Sequence, residues 1–463
     1  MDNVIVVVYL LIVLIVGLVA GRKVKDLSQF SVAGRSFGSF VIFATLSASF
    51  IGGGFSMGNA EKVFLFGVVN IFALWGFSFK EILVAKFIAP RMDNYNTAIS
   101  VGDIMEKHYG KISKVITGVF SVIVSAGILG AQIGSIGYIF NVFLGIPQVY
   151  GILIGYGIVF LYSTVGGMRS VVYTDIIQFI VLAIGIPLVL IFGITKIGGI
   201  SEFRAAVPAS HFSFPGGLGS ITAFISLFLT FLLGETLVPP YVQRLFLAKD
   251  KSHTQKGTLW SGIFSIPFFA VTGLIGLVAL VLNPQLDPNL AMPYVIKEVL
   301  PLGISGIVIA GIISIVMSSA DSFLNAASVS FIHDIITPLR KNKLSLKAEL
   351  LSARLINILV GGISLIFAIK IKSILDILIY AYNFWSPIVL VPLISAMLGL
   401  KVKFSQFLAG GIAGITGVVI WNMILKNPFA IDGLVVGIAC NAIVFYTLII
   451  IARIKSKKAL NNI

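Results

Sequence analysis

The stretch Met317-Ser318-Ser319-Ala320-Asp321-Ser322 lies inside one of the longest apolar runs of the chain, which is uncharged from residue 299 to residue 320. Burying a carboxylate and hydroxyls in hydrocarbon is unfavourable unless they have partners, so such groups at membrane depth usually serve an ion or substrate pathway. Serine and aspartate supply hard oxygen ligands, which suit a small cation. The pattern therefore predicts an ion-coupled membrane protein.

The composition supports this prediction. The chain has 463 residues, of which 58% are hydrophobic and 11% are charged, whereas soluble domains carry about 25% charged residues. A helix needs about 20 apolar residues to cross a bilayer. The apolar runs predict an all-α polytopic protein with spans near residues 4–20, 37–58, 65–89, 112–142, 149–167, 171–194, 222–247, 258–282, 299–335, 351–369, 374–398, 404–424 and 433–452.

The distribution of basic residues predicts the orientation. Of the 33 lysines and arginines, 24 fall in loops that would be cytoplasmic and 7 in loops that would be external, if the N-terminus lies outside and the C-terminus inside. The cytoplasmic count includes Arg244, at the end of span 222–247, as the first basic residue of a loop over 244–256. We expect a plasma membrane location, the bacterial inner membrane. The net charge of +15 is then explained by orientation and anionic lipid, and no nucleic-acid partner is expected. Cys440 is the only cysteine, which excludes an intrachain disulfide.

Two spans carry residues that interrupt helices. Span 2 contains Gly52-Gly53-Gly54, and span 7 contains Gly234-Glu235-Thr236-Leu237-Val238-Pro239-Pro240. Glycine destabilises a helix and proline removes a backbone donor. Interrupted helices at matching positions of two halves point to a transporter site, although close helix packing also explains glycines in membrane helices.

Two motifs resemble the signatures of the sodium:solute symporter family. The first is Gly166-Gly167-Met168-Arg169-Ser170-Val171-Val172-Tyr173-Thr174-Asp175-Ile176-Ile177-Gln178, and the second is Met317-Ser318-Ser319-Ala320-Asp321-Ser322 followed by Asp334-Ile335. The resemblance runs from about residue 5 to residue 400. Among the branches of the family, the high-affinity choline transporter is most similar, through Gly52-Gly53-Gly54 with Ala60-Glu61 and through Tyr241-Val242-Gln243-Arg244.

The resemblance implies the leucine-transporter-type fold, with two inverted five-helix repeats and discontinuous spans 2 and 7. The chain would form one transporter domain over residues 1–463, with the repeat core at 37–398 and peripheral helices at 1–36 and 399–463.

The resemblance also implies a sodium site between spans 2 and 9. Its ligands would be the carbonyls of Ala48, Ile51 and Ile315 and the hydroxyls of Ser318 and Ser319. From the residues alone, the two serines can instead bond to carbonyls of their own helix.

Some family members bind a second sodium ion, and here Asp175, Asp321 and Ser322 stand at the corresponding positions. Two alternatives stay open from the residues. Asp175 can be stabilised by the dipole at the start of span 6, and Asp321 can be a structural hydrogen-bond hub.

The substrate is expected to be a small polar organic solute. The tryptophans of the choline branch align with Phe50, Ile128 and Val238, so the aromatic cage that a quaternary ammonium needs is largely missing. Phe50, Phe55, Gln132, Glu235 and Thr236 are the predicted substrate residues. Glu235 can pair with a substrate amine, accept sugar hydroxyls, pair with a basic neighbour or carry a proton, and Gln132 can be an interhelical hydrogen bond.

Together these observations predict a symporter that couples sodium entry to solute uptake by alternating access. Sodium is the coupling ion and the only metal expected; neither a cofactor nor a catalytic residue is expected, so the chain is not predicted to be an enzyme. An ion channel and a proton-coupled carrier are the alternatives. The oligomeric state is open.

Overall fold

The computed structural model describes residues 1–50, 53–342, 345–370 and 381–461, with residues 50, 53, 54, 315, 367, 369, 370 and 457–461 described by their backbone only. Almost all of these residues are helical, and the only β-type pairing among the described residues is an isolated bridge between Phe37 and Ala248. The prediction of an all-α protein is confirmed.

The first half of the chain contains nine α-helices. They are α1 (Asp2–Gly21), α2 (Leu27–Val32), α3 (Ser39–Phe50), α4 (Gly53–Phe66), α5 (Val69–Leu83), α6 (Val101–Tyr109), α7 (Lys111–Leu144), α8 (Gln148–Ile197) and α9 (Ile200–Ala206).

The described parts of the second half contain ten more. They are α10 (Ile221–Leu233), α11 (Pro239–Leu245), α12 (Lys251–Leu282), α13 (Ala291–Val299), α14 (Ile304–Val329), α15 (Thr337–Leu339), α16 (Leu346–Lys370), α17 (Val391–Met397), α18 (Phe404–Val419) and α19 (Gly433–Asn461). Short π-helical turns continue α14 at Ser330–Ile336 and precede α17 at Ser386–Leu390.

Eight helices in the described part of the chain are long and apolar enough to cross a membrane. The helix α8 has 50 residues, twice what one crossing needs, and contains both predicted spans 149–167 and 171–194. The predicted span 299–335 begins later, at Ile304, because residues Ala291–Val299 form a separate helix. Residues 371–380 of the predicted span 374–398 lie outside the described residues.

The helix α8 changes direction at Gly167, whose φ is +50° and ψ −143°. A Cβ atom there would lie 2.5 Å from the carbonyl oxygen of Phe30. Only glycine combines this backbone conformation with so close an approach. The bend lets one helix supply two crossings and positions Asp175 in the second of them.

The second predicted helix interruption falls between two separate helices, and the centre of the first lies outside the described residues. The helix α3 ends at Phe50 and α4 begins at Gly53, with residues 51–52 outside the described range. The helix α10 ends at Leu233, and α11 begins at Pro239 after Leu237, which has a φ of +54°. Proline is well suited to the first helical position because its missing N–H would have no partner there.

The central helix is α14. In its membrane-crossing stretch, 94% of the residues are buried, and it packs against α1, α7, α8 and α3. Apolar side chains such as Val7, Leu11 and Ile15 of α1 are about half exposed on the outside, as expected for a lipid-facing surface. The polar groups of α14 are therefore enclosed by protein rather than by lipid.

Candidate ion and solute site

The polar side chains of α14 are buried. Ser318 and Asp321 are fully buried, and Ser319 and Ser322 are no more than 2% exposed. Ser318 and Ser322 are four residues apart and share one face of the helix. The opening motif of the sequence therefore lines the interior of the bundle, where its oxygens need partners from other helices.

Asp175 of α8 supplies one of these partners. The Ser318 hydroxyl donates a hydrogen bond of 2.6 Å to Asp175 Oδ1, and the Thr45 hydroxyl of α3 donates to Asp175 Oδ2. Asp175 is fully buried. Through these bonds it joins the helices α3, α8 and α14. Stabilisation by the dipole of its own helix therefore does not account for all of its contacts.

Arg244 of α11 is the basic partner of Asp175. Its Nη2 atom lies 3.2 Å from Asp175 Oδ2 and 2.5 Å from the Ser322 hydroxyl. Its Nε donates to the carbonyl and hydroxyl oxygens of Thr45 at 3.2 and 3.1 Å. The sequence analysis counted Arg244 among the basic residues of a cytoplasmic loop, and this is wrong because its side chain is fully buried.

The residue Asp321 has different partners from Asp175. It accepts hydrogen bonds from the Tyr162 hydroxyl at 2.6 Å and from the Ser322 hydroxyl at 2.9 Å. The Ser322 hydroxyl oxygen is also 2.5 Å from the Ser318 carbonyl oxygen, so its single hydrogen is shared between these two acceptors. Asp321 thus connects α8 with α14 and contacts Ser322 beside Arg244, and the structure brings together all three residues of the predicted second sodium site.

The predicted first sodium site lies where the end of α3 meets α14. The Ser319 hydroxyl donates a hydrogen bond of 2.8 Å to the Ser49 carbonyl, and the Ser49 and Ser318 hydroxyl oxygens are 3.5 Å apart. Ala48, a predicted carbonyl ligand, is the neighbour of Ser49 in α3 and is fully buried. Ile51 lies outside the described residues, and the side chain of Ile315 is not described.

Glu235 lies in the break between α10 and α11 and is 6% exposed. Its Oε2 atom accepts a hydrogen bond of 2.8 Å from the Tyr241 hydroxyl, and its Oε1 atom accepts one from Tyr382. The neighbouring Thr236 hydroxyl donates to the Leu232 carbonyl at 2.7 Å, so this side chain is engaged within its own helix end.

The other predicted substrate residues occupy different surroundings. Phe55 packs against the rings of Phe77, Phe231 and Phe269. Gln132 on α7 is 7% exposed, and its Oε1 atom has no hydrogen-bond partner among the described residues. The side chain of Phe50 lies outside what the structure describes.

A second polar cluster lies at the end of the bundle where α6, α7 and α14 meet. Lys114 Nζ is 2.6 Å from Asp103 and 2.9 Å from Glu106, and His333 Nε2 is 2.8 Å from Asp103. Burial would raise the pKa of Asp103, but the hydrogen bond and charge of His333, together with Lys114, outweigh it and hold that pKa below its ordinary value. Asp103, His333 and Asp334 are close enough to share a cation, but the Lys114 ammonium already fills that role.

A sequence model of the sodium:solute symporter family matches residues 30–414. The chain belongs to the sodium:solute symporter family. The resemblance seen in the sequence is therefore confirmed, and the protein is a membrane transporter that couples the movement of a solute to sodium.

Its relatives within this family transport different compounds, as their names state. The osmoregulated proline transporter OpuE of Bacillus subtilis is 25% identical, with 81% of this chain and 79% of the relative covered. The high-affinity choline transporter 1 of Caenorhabditis elegans is 24% identical, with 80% and 69% covered. The high-affinity proline transporter PutP of Bacillus subtilis is 26% identical, with 88% and 89% covered.

Solved structures confirm the fold. A Na⁺-coupled sialic acid symporter in a substrate-bound outward-open state superposes with a TM-score of 0.83 over 96% of both chains, at 22% identity. MhsT in complex with L-phenylalanine gives a TM-score of 0.56 at 17% identity, with 89% of this chain and 99% of MhsT covered. The leucine-transporter-type fold is thus shared, while the substrate is not indicated at these identities.

Proposed function

We propose that this chain imports a small polar organic solute together with sodium by alternating access. The family membership supports sodium-coupled solute transport. The helices α3 and α11, the second of which follows the α10/α11 interruption, meet α14 around a buried set of oxygens, which supports a central binding site. Transport of this kind needs no covalent step, and we propose no catalytic residue.

The proposed sodium ligands are the carbonyls of Ala48, Ile51 and Ile315 and the hydroxyls of Ser318 and Ser319. The observation that carries this proposal is a pair of hydrogen bonds. Ser318 bonds to Asp175 at 2.6 Å, and Ser319 bonds to the Ser49 carbonyl of α3 at 2.8 Å. A hydroxyl that donates its hydrogen retains lone pairs with which it can bind a cation. The hydrogen bonds therefore orient the serine oxygens without excluding them as sodium ligands.

We propose that Asp175 assists this sodium ion by its charge. Asp175, Asp321 and Ser322 would hold a second sodium ion only if Arg244 moved, because the guanidinium lies within 3.2 Å of both Asp175 Oδ2 and the Ser322 hydroxyl. Two like charges at this separation in a buried site repel strongly. In the arrangement described, Arg244 takes the place of a second cation and favours one sodium ion per cycle.

The solute would bind between the interruption predicted in span 2 and the α10/α11 interruption. Phe50 and Phe55 would supply apolar contacts, and Gln132, Glu235 and Thr236 would supply polar ones. The buried and hydrogen-bonded position of Glu235 and the unpaired carbonyl oxygen of Gln132 support their inclusion.

We propose that the N-terminus faces outside and the C-terminus the cytoplasm, in a bacterial inner membrane. Removing Arg244 from the loop count leaves the excess of basic residues on the cytoplasmic side. Reporter fusions to the two ends, one active only inside and one only outside, would test this orientation.

Proton coupling is the second candidate. It is favoured by the buried carboxylates of Asp321 and Glu235, neither of which forms a salt bridge with a basic residue in the described part of the chain. Purified protein in liposomes should accumulate solute under an inward sodium gradient and not under a proton gradient alone. Sodium should also change the fluorescence of Trp385, whose indole lies 3.4 Å from the Thr236 carbonyl. If neither accumulation nor a sodium-dependent signal were observed, we would abandon the proposal.

A further inference from the structure

The buried charges in the middle of the bundle form two groups. One consists of Asp175, Asp321 and Arg244, and the other consists of Lys80, Glu81 and Glu235, all of them no more than 6% exposed. With their ordinary charges, each group carries one negative charge more than positive. Leaving a buried charge uncompensated is costly, so each group is suited to one additional cation.

The first group lies beside the proposed sodium site, since Ser318 bonds to Asp175. A sodium ion there would compensate its charge. The second group contains no ligand of that site and lies at the α10/α11 interruption. Its excess negative charge therefore calls for a different cation.

The local geometry indicates that the uncompensated negative charge of the second group lies on Glu235. Lys80 Nζ is 2.9 Å from Glu81 and lies over the rings of Phe77 and Tyr241, at 3.5 and 4.7 Å from their centroids. Glu235 instead receives neutral phenolic donors on both of its oxygens. These two hydrogen bonds orient an ionised carboxylate, which can only accept, but they do not cancel its charge.

Two further buried side chains present acceptor atoms without donors. Gln132 Oε1 and Asn383 Oδ1 have no hydrogen-bond partner in the described part of the chain, and both residues are 7% exposed. Asn383 is adjacent to Tyr382, the partner of Glu235. The helix α7 meets this segment, because a Cβ on its Gly127 would lie 2.9 Å from that of Ala381.

We propose that Glu235 binds an ammonium group of the transported solute, with the Gln132 and Asn383 side-chain oxygens accepting further hydrogens from it. The solute would then be a primary or secondary amine, such as an amino acid or an amino alcohol. The inference rests on the proposed function and specifies its substrate class. A carboxylate or phosphate solute would be repelled by Glu235 unless it also carried such an amine, and a quaternary ammonium would leave the acceptors unpaired.

The test begins with the thermal stability of purified protein with and without sodium. In sodium, three classes of probe are then compared: amines (L-proline, L-lysine, ethanolamine), neutral polyols (D-glucose, myo-inositol) and anions (L-lactate, N-acetylneuraminate). We expect stabilisation by at least one amine and by no polyol. In Glu235→Gln, the affinity for that amine should be about tenfold to a hundredfold weaker, the value of a hydrogen bond to a charged group. The control Glu202→Gln, on an exposed helix, should bind as the wild type does.

The outcomes separate this inference from the proposed function. If sodium left the melting temperature unchanged, sodium coupling itself would fail. If sodium stabilised the protein but only polyols or anions bound, or no probe of any class bound, the ammonium proposal alone would be overturned. Stabilisation that depended on pH and was lost in Glu235→Gln, without binding of any probe, would instead identify Glu235 as a proton carrier and overturn the proposal. Tyr382→Phe removes one hydrogen bond to Glu235 but keeps the carboxylate, so it should weaken amine binding less than Glu235→Gln does. This second variant keeps the proposal testable if Glu235→Gln fails to fold.

Discussion

The guanidinium of Arg244 lies 3.2 Å from the Asp175 carboxylate, and both side chains are fully buried. The pair connects α11, which follows one helix interruption, with α8. Through Thr45 it also reaches α3. Ser318 and Ser322 of α14 bond to the two members of the pair, so one charged pair ties α3, α8 and α11 to α14.

Removing the positive charge should destabilise the protein strongly. In Arg244→Gln, Asp175 and Asp321 remain buried without a cationic partner, and we expect a loss of about 3–5 kcal/mol, the usual effect of breaking a buried ion pair. Adding Asp175→Asn should recover part of this loss because it removes one unpaired carboxylate. Thermal melting in detergent measures all three variants, and additive losses from the two substitutions would show that the pair is not coupled.

Removing both serine hydroxyls should weaken sodium binding. In Ser318→Ala with Ser319→Ala, we expect the apparent sodium affinity of transport to fall by about tenfold or more, since two oxygen ligands are lost. Expression should persist because the replaced groups are small. Ser314→Ala is the matched control, since its hydroxyl bonds to Ala310 in its own helix. Sodium dependence unchanged from the wild type would refute the assignment of the two serines.

Replacing Tyr162 tests the structural role of Asp321 separately from sodium binding. Tyr162→Phe removes the hydrogen bond of 2.6 Å to Asp321, and a buried bond to a charged group is worth about 1–3 kcal/mol. We expect the melting temperature to fall while sodium affinity stays near that of the wild type. The exposed Tyr150, changed to Phe, is the control. A large loss of sodium affinity with unchanged stability would contradict a structural role for Asp321.

The bend in α8 should tolerate no side chain at Gly167. Gly167→Ala places a Cβ 2.5 Å from the Phe30 carbonyl oxygen at a positive φ, which should cost about 2 kcal/mol or more. Gly157→Ala in the same helix meets nothing within 4 Å and should be neutral or slightly stabilising. The yields and melting temperatures of the two variants test this prediction. Equal yields and equal melting temperatures would mean that the bend is not required.

The contribution of Asp103 should depend on pH. Its pKa is lower in the folded protein than in the unfolded chain, so its stabilising effect is complete above the unfolded value, about pH 4, and is lost as the pH falls towards the folded value. The stability difference between the wild type and Asp103→Asn should therefore shrink as the pH falls below about pH 4. Melting curves across this range test it, with Asp93→Asn as an exposed control. A stability difference that grew as the pH fell below about 4 would contradict this prediction.

The two interruptions illustrate how far a sequence can predict this site. Pro239 indicated where the second helix would break, because proline acts on its own backbone, and α11 begins at this residue. The glycines 52–54 predicted the first break, which stays a prediction because residues 51–52 lie outside the described range. The signatures around Asp175 and Ser318 identified the family for the same local reason, since their residues are contiguous in the chain. Arg244 was placed in a loop, because a basic residue after an apolar run usually follows the membrane boundary.

The sequence by itself determined that this chain is an all-α membrane protein of the sodium:solute symporter family, with Ser318, Ser319 and Asp321 inside the bundle. Composition, helix breakers and contiguous motifs are local properties, so they can be read without coordinates. Only the tertiary structure decided that Arg244 rather than solvent compensates Asp175, that Tyr162 engages Asp321, and that Tyr241 and Tyr382 hold Glu235. These pairs join residues up to 159 positions apart, and the cost of burying a charge selects its partner only when packing brings the helices together.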